Sequence, residues 1–191
     1  MKTNFVILLL LMNISTYSQT FNGIEVGKSY TSTALLLKQK GFIKTKELTK
    51  YINEFSGQLP SGENVTISVV QTKKTGIVWK LRIAFVSLSN WSTLKSQYEK
   101  YKNIVEGKYG KAKEDFAFFS NPYFEGDGYE IQALGKEKAN FMSFFNDDKG
   151  NNITVELGGD GTYGQVIISY ENLLAVEIKT KEEKEIENSV F

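Results

Sequence analysis

The sequence predicts an α+β fold: two helices packed on one face of a large antiparallel sheet, arranged as tandem helix-plus-meander halves. Three observations predict it. The stretch from Asn90 to Gly110 carries Trp91, Leu94, Tyr98, Tyr101 and Val105 at steps of three and four, which is one helical face. Ile77, Trp79, Leu81, Ile83 and Phe85 alternate with Lys80 and Arg82, the period of a half-buried strand. Short turns such as Pro60-Ser61-Gly62 and Lys73-Lys74-Thr75-Gly76 join neighbouring strands and demand antiparallel pairing.

Each element follows in chain order. Residues 1–18 read as a secretory signal peptide, with Lys2 as its positive end and Phe5 to Met12 as its apolar run. Thr16 and Ser18 are small residues suited to a cut before Gln19. The apolar run is far below the roughly 20 residues a bilayer needs, and no later segment is apolar enough to span one. The mature chain is therefore expected to be exported, periplasmic or secreted. Thr31 to Lys40 is the first helix, capped by Thr31 or Ser32 and stopped by Gly41, with Phe42 folding back over its last turn. Strands follow near 42–46, 48–59, 65–69 and 77–85, the second of them broken by Gly57. Asn90 is a good N-cap for the second helix, and Gly110 a good stop. Strands are then expected near 115–119, 129–134, 139–146, 152–158 and 165–170.

Residues 19–174 thus form one domain of two pseudo-repeats, about 28–88 and 89–172. Residues 175–191 are a charged C-terminal tail, read as a solvated end or a short helix.

Composition removes several functions. The chain has 191 residues, a formal net charge of +1, and Arg82 as its single arginine. A near-neutral, lysine-dominated chain lacks the footprint of a nucleic-acid binder. With no Cys and no His, disulfides, a thiol nucleophile and the commonest general base and zinc ligand are absent.

The local motifs carry no catalysis. Ser92-Thr93-Leu94-Lys95 and Lys74-Thr75-Gly76 match two motifs of the penicillin-interacting serine enzymes, but in the reverse order. Asn146 to Asn152 lacks the Gly and Glu spacing of a calcium loop. Gly158 to Gly164 joins two strands, whereas a phosphate cradle opens a helix. The sequence therefore implies no catalytic residue, no metal and no cofactor. The competing enzymatic reading is an envelope ligand-binding or hydrolytic protein acting on glycan or lipid, with Glu125, Asp127 and Glu130 as its carboxylates.

The most unusual stretch is Phe116 to Tyr129, FAFFSNPYFEGDGY. Phe116 and Phe118 are assigned to the core. Tyr123 and Phe124, in a loop between Pro122 and Gly126, are assigned to the surface together with Phe119 and Tyr129. These four are the candidate contacts for a protein or peptide partner, whereas Trp91 and Tyr98 are assigned to the core.

The ending Tyr17-Ser18-Gln19, the lead-in Phe21-Asn22-Gly23-Ile24 and the stops Lys40-Gly41-Phe42 and Lys108-Tyr109-Gly110 resemble those of small exported proteins of the Bacteroidota. The twofold helix-plus-meander layout resembles the β-lactamase-inhibitor-protein fold. That resemblance implies a non-enzymatic module binding a protein across an aromatic-studded concave sheet. The chain departs from the family's best-known members in having no disulfide cysteines.

Overall fold

The computed structural model describes residues 20–189; the signal-peptide expectation lies outside them. The chain opens with a small hairpin of β1 (Thr20–Phe21) and β2 (Ile24–Glu25), followed by α1 (Tyr30–Gln39). Four strands come next: β3 (Ile43–Thr49), β4 (Ile52–Gln58), β5 (Asn64–Gln71) and β6 (Val78–Phe85). The second half opens with α2 (Trp91–Tyr109) and continues through β7 (Glu114–Phe119), α3 (Glu130–Gly135), β8 (Ala139–Asn146), β9 (Asn152–Gly159) and β10 (Gly164–Glu171). It closes with α4 (Leu173–Asn188). Strands β3 to β10 form one antiparallel sheet in the order β3-β4-β5-β6-β10-β9-β8-β7. Each half is a helix followed by a four-stranded meander, and the last strands of the two meanders, β6 and β10, pair at the centre.

The register decides which side chains share a face. One row across the sheet runs Asp115, Ser143, Val155, Ile168, Ile83, Ile67 and Phe55. The last five are buried and meet Leu94, Tyr98, Tyr101 and Val105 of α2, together with Leu37 of α1, in a single core. Both main helices therefore cover the same face. The predicted stripe of α2 is the buried one, with Trp91 half-buried at its start. Asn90 caps α2 by accepting from Thr93 N at 2.9 Å. Gly110 ends it at φ +84°, a conformation that costs a glycine little.

Polar bonds fasten α2 to both halves. Tyr98 Oη donates to Ser143 Oγ at 2.6 Å, and Ser143 Oγ donates to Asp115 Oδ1 at 2.8 Å. Lys102 completes the chain on the other oxygen of Asp115. Burial pushes the Asp115 carboxyl up, but the bonds from Lys102 and Ser143 outweigh it and hold the group below its ordinary range. Toward the first half, Tyr101 stacks on Phe85 with ring centroids 3.9 Å apart and donates to Glu63 Oε1 at 2.9 Å.

That contact has a pH consequence. The hydrogen bond from Lys100, with those from Ser61 and Tyr101, lowers the Glu63 carboxyl from 4.5 to about 2. A carboxyl depressed in the folded state stabilises fully above its unfolded pKa, and that gain fades as pH falls from about 4.5 toward 2. The Glu63 side chain is 25% exposed, so solvent screening limits the gain to about 1 kcal/mol. Glu63→Gln should be less stable than the parent in urea titrations at pH 6. The gap should close by pH 2; a gap that persists there would assign the loss to something other than ionisation.

Three local expectations are corrected. Ser29 caps α1, accepting from Ser32 N at 3.3 Å, so Thr31 and Ser32 lie inside the helix. Strand β4 runs through Gly57, where a Cβ would come within 2.6 Å of the Phe42 ring; the glycine makes room and does not break the strand. The strand expected at 129–134 is instead the short helix α3. Six residues are too few for periodicity to decide, and the i,i+3 pair Ile131 and Leu134, both buried, fits a helical turn.

The charged C-terminal segment is the 16-residue helix α4, capped by Asn172, which accepts from Ala175 N at 2.9 Å. Glu182, only 5% exposed, reaches the β5–β6 turn and accepts from Lys74 N at 2.7 Å, Thr75 N at 3.0 Å and Thr75 Oγ1 at 2.6 Å. Charge patterning alone cannot show such a tie, because its partner lies over a hundred residues away in the chain.

Candidate functional site

Strand alternation sends the other half of the side chains to the face turned away from α2, called the distal face below. Its first row runs Phe116, Met142, Glu156, Ile167, Ala84, Thr66, Ser56 and Ile43 across all eight strands. The next row runs Glu114, Phe144, Thr154, Ser169, Arg82, Ser68 and Glu54. Phe118 also faces this way, two residues beyond Phe116.

This placement reverses the expectation for β7. Phe116 and Phe118, expected in the core, are 37% and 47% exposed on the distal face. Phe116 meets Phe144 edge-on at 6.2 Å. Phe119, expected at the surface, points toward α2 and packs edge-on against Trp91 and Phe141, with centroids 5.5 Å apart in each case. Asp115 explains the phase. Its bonds to Ser143 and Lys102 require it to face α2, and residues two and four further along then face the same way.

The centre of the distal face is polar. Lys80 pairs with Glu171 at 2.9 Å. Arg82 stands between Ser68 on β5 and Ser169 on β10. Two shallow depressions flank this centre. One, of about 500 Å³, lies along Lys80, Ser169, Thr154, Glu156, Met142 and Phe144. The other, of about 440 Å³, lies along Ser56, Thr66, Ala84 and Val86.

The loop after β7 holds the remaining predicted contacts. Tyr123 is half-buried, while Phe124 and Tyr129 are 63% and 60% exposed. Tyr129 borders a separate depression with Ser89, Asn90 and Thr162, at the N-terminal end of α2. The structure therefore does not gather Phe119, Tyr123, Phe124 and Tyr129 on one surface.

The three carboxylates of the hydrolytic reading all hold this loop. Asp127 accepts from Phe124 N at 3.0 Å and from Tyr129 N at 2.7 Å. Glu130 accepts from Gly126 N at 2.8 Å. Glu125 pairs with Lys95, whose hydrogen bond lowers the carboxyl despite some burial. In the 146–152 turn, Asp147 accepts from Lys149 N and from both nitrogens of Asn151.

The distal face was only half legible in the sequence. Alternation in β6 marks Lys80 and Arg82 as the side opposite the core, and the aromatic run marks β7. Only the pairing of β6 with β10 brings Ser169 beside Arg82.

Comparison with known proteins finds no matching family model, no matching curated protein and no matching solved structure. No helix among the described residues is long and apolar enough to cross a membrane.

Proposed function

We propose that the chain is an exported, non-enzymatic binding module whose protein or peptide partner docks on the distal face. The observation that carries this reading is the aromatic edge of that face. Phe116 and Phe118 stand exposed on the edge strand β7, beside Phe144 and Met142 of β8. Exposed aromatic side chains with Met and Arg near them are the residue types enriched where proteins meet partners. An edge strand also offers unpaired backbone groups to an incoming chain.

The double change Phe116→Ser with Phe118→Ser tests the reading. Both rings are partly exposed, so thermal unfolding should shift by the equivalent of about 1 kcal/mol or less. Capture of partners from an envelope extract, followed by mass spectrometry, should fall sharply for the double variant. Equal capture by the variant and the parent would remove the distal face as the docking surface.

A further inference from the structure

We propose that Ser68, Arg82 and Ser169, side by side at the centre of the distal face, form a carboxylate site that anchors an acidic side chain of the protein partner; this rests on the docking reading above. Three observations lead there. Register sets Ser68 directly opposite Arg82 and Arg82 directly opposite Ser169, with Thr154 next in the row. Ser68 and Ser169 are only 7% and 4% exposed. None of the three side chains makes a hydrogen bond or ion pair among the described residues.

Arg82 is half-buried and the hydroxyls of Ser68 and Ser169 still reach solvent, so all three donors are open to an acceptor from outside. Other polar side chains of this face do find partners. Lys80 pairs with Glu171 at 2.9 Å, and Ser56 bonds Thr66 at 3.3 Å. A guanidinium only donates, in a planar fork that matches two carboxylate oxygens, and a hydroxyl can donate beside it. The nearest acid, Glu171, is diagonal to Arg82 on the adjacent strand β10 and is taken up by Lys80 at 2.9 Å; the others stand further off. Glu54 is two strands from Arg82 along the same row, roughly 10 Å at ordinary strand spacing, and Glu156 is two strands away in the next row.

The breadth of the face argues for a protein as the source. Open depressions lie on both sides of the row, and eight strands span roughly 34 Å at ordinary spacing, far more than a small acid covers.

Because Arg82 is the only arginine, its Nε–Hε group gives one resolved signal in a ¹⁵N spectrum of the whole mature chain. That signal would be followed during titration with acetyl-Leu-Glu-Leu-Glu-amide, its Gln counterpart, sodium glutarate and inorganic phosphate. The Glu peptide should shift it saturably, and the Gln peptide should bind at least about tenfold more weakly, since a charge-assisted bond is lost. Arg82→Lys should weaken the Glu peptide about tenfold by losing the fork, with the remaining amide signals unchanged.

An unmoved Arg82 signal, or equal binding of the Gln peptide, would overturn the anchor. If β7 and β8 amides still shifted, the docking reading would survive that failure. Glutarate or phosphate binding as tightly as the Glu peptide would overturn the protein source and leave a small-anion site.

Discussion

Tyr98→Ala should cost about 3–5 kcal/mol, the range for deleting a large buried aromatic, and this is a major share of a small domain's stability. Tyr98 is fully buried at the centre of the predicted helical stripe, edge-on to Phe141 at 6.1 Å. Its hydroxyl also starts the chain through Ser143 and Asp115 to Lys102. Burial dominates its environment and pushes the phenol up to about 12. Tyr98→Phe separates packing from hydrogen bonding. It keeps the ring and removes only the donor to Ser143, so it should cost about 1–3 kcal/mol. Urea unfolding of both variants checks the ordering. If Tyr98→Phe proved as harmful as Tyr98→Ala, the polar chain would outweigh the packing; if neither mattered, the placement of α2 would be wrong.

Gly135→Ala should cost about 1–3 kcal/mol or more, although alanine is the better helix former. Gly135 ends α3, and a Cβ there would run into the backbone of Asp160 and Gly161 in the β9–β10 turn. Backbone cannot swing aside as a flexible side chain can. The clash must push α3 away from the sheet and with it Leu134, which packs beside Gly159 and Gly164. Thermal unfolding would show the loss, and Gly161→Ala would not imitate it through contact, because a Cβ at Gly161 meets open space. Gly161 has φ +96°, so its own substitution reports backbone strain alone. A Gly135→Ala protein as stable as the parent would mean that α3 does not sit against this turn.

The two glycine effects show where reading the sequence stops. Gly135 lies between Leu134 and Lys136 at the end of α3, with no local sign that another loop touches it. Its constraint comes from residues 160–161, which are remote in sequence. The aromatic run of β7 fails for a related reason. Phenylalanines occupy both parities at Phe116, Phe118 and Phe119, so alternation holds no phase information. The hydrogen bonds of Asp115 supply the phase, and they need Ser143 and Lys102 in place.

The sequence by itself determined the features that repeat along one segment. The stripe of α2, its Asn90 cap and Gly110 stop, the alternation of β6 and the order of helix-plus-meander halves all rest on local periods and local turn chemistry. Only the tertiary structure decided that β6 pairs with β10, that Glu182 ties α4 to the Lys74–Thr75 turn, and that Arg82 stands between Ser68 and Ser169 with no hydrogen bond or ion pair among the described residues. Each of these depends on which strands or helices come to lie side by side. A period of two or 3.6 residues states which face a side chain takes, but carries no information about its neighbour across the sheet.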